Sequence, residues 1–536
     1  MVTTAADLGV PRVFNAATHF IDRHIGLGRG SRIAIECGDA RISYEQLREH
    51  VDRCASALRT RLDVRCEERV MLLLHDGPEF AAAFFGVLKA GAIAVPVNTL
   101  LKERDYQYLL ADSGAVVLIV SEALLSLVDR IPRAEFRRLR HIVVVSAGQH
   151  HGYLRFDDLL ASGSPAFEAE PTTSDDPAFW MYSSGSTGTP KGCVHLHHDM
   201  VICAELFAKG ILGITAADRC FSVAKLFFAY GLGNALYFPL AVGATTILWP
   251  GPPAAATVYE IIERHRPTLF FSVPTGYAML LAQQREPEFD LSSLRAAISA
   301  GEALPPPLFE RFRDRFGIEI VDGIGSTEAL HMFISNRPGA TRPGSSGQIV
   351  PGYEARVLDG EGVAVPHGEI GNLWVRGDSV CALYWNQHQK TVDTIQGEWL
   401  RTGDKYICDA DGYYWHAGRS DDMLKVGGQW VSPVEVENVV LTHPAVQECG
   451  VVGYEDRDGL VKPVAFVVLR AGTEGSADRA DELEQFVRAR LAEFKRPRRV
   501  RFVSELPKTA TGKIQRFKLR ELAQRADEEP GTSISS

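Results

Sequence analysis

The sequence predicts an α/β protein: a large N-terminal domain on parallel sheets, a barrel-like β subdomain after it, and a small C-terminal α+β domain. Two textures predict this. Continuous apolar, β-branched runs at Ala92–Val97, Val116–Val120, Ile142–Val145, Thr245–Leu248, Leu269–Val273 and Ala296–Ser299 alternate with helical patterns. Such runs mark strands buried on both faces of a parallel sheet. Phe80–Ala90 reads as a buried helix stopped by Gly91, which can adopt the left-handed cap conformation. After about residue 340 the texture changes to dense turn signals such as Arg342-Pro343-Gly344, Val350-Pro351-Gly352, Leu358-Asp359-Gly360, Pro366-His367-Gly368 and Asp411-Gly412. These separate short alternating segments such as Asn372–Arg376, the pattern of antiparallel or barrel-like structure. Beyond Gly418 a small α+β unit follows, with a strand at Val464–Leu469 and an amphipathic helix near Asp481–Phe494.

Composition narrows the class. At 536 residues the chain can bury more than one core. It is 46% hydrophobic and 23% charged, ordinary for a globular protein. A net charge of −10 argues against nucleic acid as the main partner, because phosphate binding needs a basic face. The local basic run Lys495-Arg496-Pro497-Arg498-Arg499 reads as a solvated surface or an anion site. The nine cysteines lie singly, without C-x-x-C spacing, so neither a zinc ribbon nor a redox pair is indicated, and a reducing compartment is expected. Met1–Arg12 lacks the features of a signal peptide, and no run reaches the ~18 apolar residues of a membrane span. The expectation is a cytoplasmic protein with no membrane contact.

The strongest local signal is Tyr182–Gly192. Its five hydroxyls (Ser183, Ser184, Ser186, Thr187, Thr189), Gly185, Gly188 and Lys191 make a polar loop able to turn backbone N–H groups toward an anion. It is not a Walker A loop, since Pro190 precedes Lys191 and Gly192 follows it. A plain Ser/Gly linker is the bland alternative. Further motifs follow: Gly323-Ile324-Gly325-Ser326-Thr327-Glu328, Arg401-Thr402-Gly403-Asp404 before Tyr406, Gly418-Arg419-Ser420-Asp421-Asp422, and Pro507–Lys513. Read alone, Glu328 could sit at a helix N-terminus, Asp404 could be a turn aspartate and Lys513 a solvated lysine.

Together, in this order and over about residues 13–520, these motifs resemble the adenylate-forming superfamily of acyl- and aryl-CoA ligases, luciferases and peptide-synthetase adenylation domains. The resemblance implies ATP, Mg²⁺ and coenzyme A. It implies that the Ser183–Lys191 loop holds the β- and γ-phosphates, that Thr327 bonds the α-phosphate, and that Glu328, with Thr187, takes the Mg²⁺. Asp404 would accept both ribose hydroxyls, with Arg419 beside it. Gly301, Glu302, Ala303, Asp322, Gly323 and Ile324 would wall the adenine, Ile324 standing where the family often has a stacking tyrosine. Lys513 would reach the carboxylate and α-phosphate from the small domain, and is also a candidate target of a lysine acyltransferase and deacylase. Asp421 would be the hinge of that mobile domain. The Lys425–Gln429 hairpin would then face the site, with Gly427 and Gly428 at a pantetheine tunnel. The implied domains are 1–420, 421–525 and a disordered tail at 526–536.

Ala224–Ala235 is similar to the benzoate-type branch of the aryl-CoA ligases, as are Phe14–Ala17, Val97–Leu101, Val273–Tyr277 and Gly325–His331. That branch implies an acid pocket of Phe228, Ala229, Tyr230, Gly231, Ala300, Gly325 and His331, a flat apolar slot suited to an aromatic ring. On spacing alone the aromatic stretch is as well explained as core, and His331 as a satisfied buried histidine. The expectation is an AMP-forming ligase of benzoate or a hydroxy- or aminobenzoate, monomeric or homodimeric. The alternatives are an enzyme loading a separate carrier protein and, in another class, a nucleotide-binding sensor without catalysis.

Overall fold

Helix patterning and strand runs resolve into three sheets on the N-terminal side and a smaller α+β unit after them in the computed structural model. It describes residues 1–136, 138–148, 152–183, 190–285, 288–419, 422–426, 429–456, 460–508 and 514–528. One eight-stranded sheet runs in the order Leu383–Tyr384, Lys191–Leu196, Pro177–Ser183, Ile93–Pro96, Arg69–Leu73, Val117–Ser121, His141–Val145, Leu154–Arg155. Its pairs from Pro177–Ser183 onward along that order are parallel. A nine-stranded sheet holds five parallel pairings across Ile320–Gly325, Ala296–Ser299, Leu269–Ser272, Arg219–Ser222, Thr245–Leu248 and Ile33–Cys37. The apolar runs read from the sequence are these strands, and they are buried because helices cover both faces.

The helix Pro78–Lys89 shows why. Proline at its first turn suits a position with no intrahelical N–H partner, and Gly91, at φ 72°, turns the chain back into Ile93–Pro96. Phe80, Phe84 and Phe85 are wholly buried against the helix Tyr44–Thr60 and the sheet. Its last residue, Lys89, is buried as well, with its charge bonded to Asp52 and Asp22.

The turn-rich region is a five-stranded antiparallel sheet of Glu354–Leu358, Ile370–Arg376, Trp399–Cys408, Ile395–Gln396 and Tyr414–Arg419. It is a branched sheet. The ten-residue strand Trp399–Cys408 pairs with Ile370–Arg376 along one side, while Ile395–Gln396 and Tyr414–Arg419 share its other side at separate positions.

The C-terminal unit is a three-stranded sheet of Val446–Glu455, Val461–Leu469 and Arg499–Phe502 packed by the helices Pro433–Leu441, Ala477–Arg488 and Arg516–Glu528. The second helix starts earlier than expected because Ser476 caps it through the Arg479 N–H. The basic run is neutralised in place: Lys495 pairs with Glu435, Arg496 with Glu484 and Arg498 with Glu493. The last helix continues through Glu528, so 526–528 are helical where a disordered tail was expected. Leu519 and Ala523, buried one turn apart, anchor that helix to the sheet. Residues 529–536 lie outside the described residues.

Gly347 joins the nine-stranded sheet to the antiparallel one, since its carbonyl accepts the Tyr414 N–H at 2.8 Å. Its φ is +91°, and a Cβ there would lie 2.0 Å from Asn336 N and Ser335 C. Gly347→Ala should therefore destabilise the protein by about 3 kcal/mol or more, read as a lowered urea midpoint. An unchanged midpoint would show that this junction yields.

Candidate active site

Two paired strands flank the segment read from the sequence as an anion-binding loop. Strands Pro177–Ser183 and Lys191–Leu196 pair antiparallel and end on the Ser183↔Lys191 pair. The hairpin's base is stiff. Trp180 stacks on Trp385 with centroids 4.7 Å apart and planes 19° apart. Gly192 lies against both indoles, where an added Cβ would stand 3.2 Å from Trp180 Cδ1 and from Trp385 Cβ. The Tyr182 hydroxyl donates to Asp112 Oδ2 at 2.6 Å. Ser184, Gly185, Ser186, Thr187 and Gly188, the loop residues assigned to phosphate and metal, lie outside the described residues. So do Asp421, Gly427, Gly428 and Lys513.

Thr327 and Glu328 stand in the turn between strands Ile320–Gly325 and Met332–Ser335, not at the start of a helix. Gly325 allows the chain to fold back there, because a Cβ would meet the His331 carbonyl oxygen at 2.5 Å. Glu328 Oε1 accepts from Tyr384 Oη at 2.8 Å and from Lys191 Nζ at 3.2 Å, and the Lys191 ammonium also lies over the Tyr384 ring. Burial pushes the Glu328 carboxyl up, but the Lys191 charge and the Tyr384 hydroxyl hold it below its ordinary value. The Cys381 N–H donates to the Glu328 carbonyl at 2.7 Å.

Asp404 and Arg419 face each other across adjacent strands, joined at 2.9 Å. Gly403 takes a φ of +78° beside them. Asp322 and Ser299 pair in register on neighbouring strands, close to Ala300, Gly301, Glu302 and Ala303. Burial raises the Asp322 carboxyl to about 8, against hydrogen bonds from Ser299, Leu304 and Gly323. Gly323 fits beneath Ile334, whose carbonyl oxygen would be 2.6 Å from a Cβ, and Ile324 is partly buried beside it.

Phe228 precedes the short helix Ala229–Leu232, its ring 4.5 Å from that of Phe227. Gly231 sits where a Cβ would be 2.1 Å from the Lys225 carbonyl oxygen. The Tyr230 hydroxyl reaches two carbonyl oxygens, those of Ser272 at 3.2 Å and Ile298 at 3.1 Å, so its proton is committed to strand ends. His331 is 3% exposed, with Nε2 at 3.1 Å from Asn234 Oδ1 and its ring among Tyr230, Phe207 and Phe238. Burial drops its pKa to about 3. The structure thus gives His331 the setting of a neutral buried histidine with Nε2 on Asn234 and Nδ1 left without a hydrogen-bond partner.

Tyr384, Asn234, His195 and Asp199 belong to this region and escape the sequence reading. Tyr384 is brought in by a two-residue strand paired to Lys191–Leu196. The run His195-Leu196-His197-His198-Asp199 was the signal available for the last two. Among the described residues no group of three His, Cys, Asp or Glu could hold a metal ion, and no helix is long and apolar enough to cross a membrane.

The AMP-binding enzyme pattern matches residues 24–385, and the AMP-binding enzyme C-terminal domain pattern matches 435–513. The chain belongs to the AMP-binding enzyme family. This AMP-binding enzyme is 48% identical to a benzoate–CoA ligase of Thauera aromatica, over 96% of this chain and 98% of that one. It matches the crystal structure of the anthranilate CoA ligase AuaEII in complex with anthranoyl-AMP with a TM-score of 0.93 at 46% identity, covering 98% and 100% of the two chains. It also matches a benzoate CoA ligase from Burkholderia xenovorans LB400 with a TM-score of 0.87 at 46% identity, covering 95% and 100%. The large α/β domain with parallel sheets and the smaller C-terminal domain are the architecture of these enzymes.

The proton on Asp322 has a measurable consequence. The unfolded carboxyl ionises near 3.8, whereas the folded one keeps its proton to about 8. Between those values the folded chain binds the extra proton, so this residue's contribution is full below the lower value and is lost as pH rises toward the upper. Asp322→Asn should flatten that decline, seen as a stability difference from the wild type that changes with pH across the window. Parallel urea-midpoint profiles would refute the assignment.

Proposed function

We infer that this chain is an AMP-forming aryl-CoA ligase, which condenses an aromatic carboxylic acid with ATP to aryl-AMP and pyrophosphate and then transfers the aryl group to coenzyme A with release of AMP. The observation that carries this reading is the turn Ser326–His331. Thr327 and Glu328, beside Lys191, occupy one part of it, and His331, among aromatic rings, ends it. One short segment thus links a charge-handling cluster to an apolar ring pocket.

The chemistry requires both parts. A carboxylate must approach the α-phosphorus of an anionic nucleotide, so oriented donors and cations must offset the charge that builds up in the transition state. Lys191 and Thr327 act as such donors. Asp404 takes the ribose hydroxyls with Arg419 as its partner, and the Ser299–Ala303 edge with Asp322 and Ile324 receives the adenine. A single buried carboxylate, Glu328, fits Mg²⁺, which commonly takes one or two protein carboxylates and completes its shell with phosphate oxygens and water. When bound, the ion would neutralise phosphate charge. Lys513 is the cation that meets carboxylate and α-phosphate during adenylation.

The acid is benzoate or a small hydroxy- or aminobenzoate. A rigid ring loses little conformational entropy on entering the Phe228–Tyr230–His331 pocket, while an alkyl chain must freeze several torsions. With its own proton committed to carbonyl oxygens, Tyr230 can still accept from an amino or hydroxyl hydrogen on the ring. The Thauera relative is named for benzoate, and AuaEII was captured with anthranoyl-AMP.

The deciding assay is CoA-dependent AMP formation across substituted benzoates, cinnamates and short fatty acids. Benzoate or a small relative should have the highest kcat/KM, and a preference for acetate or octanoate would overturn the aryl assignment. Phe228→Ala should weaken benzoate and admit bulkier rings; an unchanged acid profile would remove Phe228 from the pocket. Lys513→Ala should slow pyrophosphate exchange by about 10²–10³-fold while sparing thioester formation from supplied aryl-AMP. Equal loss in both half-reactions would refute the role given to Lys513.

A further inference from the structure

The strand Lys191–Leu196 carries a buried histidine that the reading above leaves idle. His195 is wholly buried, its ring stacked on Phe179 at 5.3 Å and 24°. Its Nε2 donates to the Thr327 carbonyl oxygen at 2.8 Å, and its Nδ1 lies 2.7 Å from Asp199 Oδ2. Asp199 is wholly buried too, and the same oxygen accepts the Leu196 N–H at 3.1 Å. Its other oxygen lies 3.2 Å from His198 Nε2, and His198 is itself held by the carbonyls of Ser174 at 2.8 Å and Asp378 at 3.0 Å. The imidazole therefore cannot swing: a carboxylate fixes one nitrogen and a carbonyl the other.

What this grips is the peptide that joins Thr327 to Glu328. Fixing the Thr327 carbonyl fixes that peptide plane, and with it the direction in which both side chains leave the turn. We propose that Asp199 and His195 form a positioning pair for adenylation, which locks the Thr327–Glu328 peptide against the phosphate-loop hairpin so that the Thr327 hydroxyl and the Glu328 carboxylate are presented to the nucleotide. The pair touches no reacting atom. Its role rests on the nucleotide-binding assignment of Thr327 and Glu328 given above.

The test uses two polar isosteres in the full chain. His195→Gln keeps an amide donor near the place of Nε2 and can still reach Thr327, whereas His195→Asn keeps one near Nδ1 and can meet only Asp199. Two rates are compared: pyrophosphate exchange with benzoate, and thioester formation from supplied benzoyl-AMP. His195→Asn should lower the kcat of exchange by about tenfold or more, and His195→Gln by about threefold or less, since small misplacement of a positioned group is expensive in rate. Neither should change thioester formation by more than about twofold. Equal losses in the two variants, or loss of both half-reactions together with a fall in Tm, would mark a merely structural role and overturn the proposal. If the His195 variants do not fold, Asp199→Asn decides: a selective loss of exchange supports the pair, and wild-type rates refute it. Thr327→Ala separates the two layers. Intact exchange there fails the site assignment itself, while slow exchange there with a wild-type-like His195→Asn fails the positioning pair alone.

Discussion

The Glu328 carboxylate is the interaction on which the rest of the site depends. Its turn belongs to the nine-stranded sheet, while both donors to it, Lys191 and Tyr384, come from the eight-stranded sheet. A buried carboxylate is costly unless it is paired and hydrogen-bonded, so leaving it without those partners is far worse than never burying it. The two large sheets are thereby bridged at one charge, the carboxylate for which a nucleotide role is proposed above. The Cys381 N–H on the Glu328 carbonyl and the His195 ring on the Thr327 carbonyl grip the two peptides that flank Glu328. The strands Pro177–Ser183 and Lys191–Leu196, the Glu328 carboxylate and the junction of the two sheets are thus tied together.

The small C-terminal unit has its own ionic core. Arg516, three residues beyond Lys513 in sequence, is partly buried and bonded to Glu437, to the Val451 carbonyl and to Asp422. Arg520 holds the other oxygen of Asp422. The chain on either side of residues 420–421 is thus fastened to different bodies. Arg419 is tied to Asp404 of the antiparallel sheet, and Asp422 to the last helix.

Much of this was legible in the residues. Parallel strands were readable because burial on both faces leaves unbroken apolar runs, as at Leu269–Ser272 and Ala296–Ser299. The Tyr182–Gly192 segment stood out in the sequence because hydroxyls, glycines and a lysine crowd it. The branching of the turn-rich sheet was not readable, because Ile395–Gln396 and Tyr414–Arg419 share one edge of Trp399–Cys408 and no local pattern announces that sharing. Tyr384 was invisible for a similar reason. It reaches Glu328 across 56 positions of sequence through a strand too short to show any period. His195 and Asp199 lie in a conspicuous run, yet nothing in that run says that its partner is a carbonyl 132 residues away.

That two-residue strand has another effect. Lys191–Leu196 is the outermost full strand of its sheet, and Leu383–Tyr384, with the Ala382 and Trp385 N–H groups, covers its free side. Uncovered, it would offer a row of unpaired backbone groups beside Cys193 and Val194, a template for edge-to-edge association between chains. The segment that brings the Tyr384 phenol to Glu328 therefore also covers a sheet edge. A lesion that loosens it would uncover that edge and remove a donor from Glu328 at the same time.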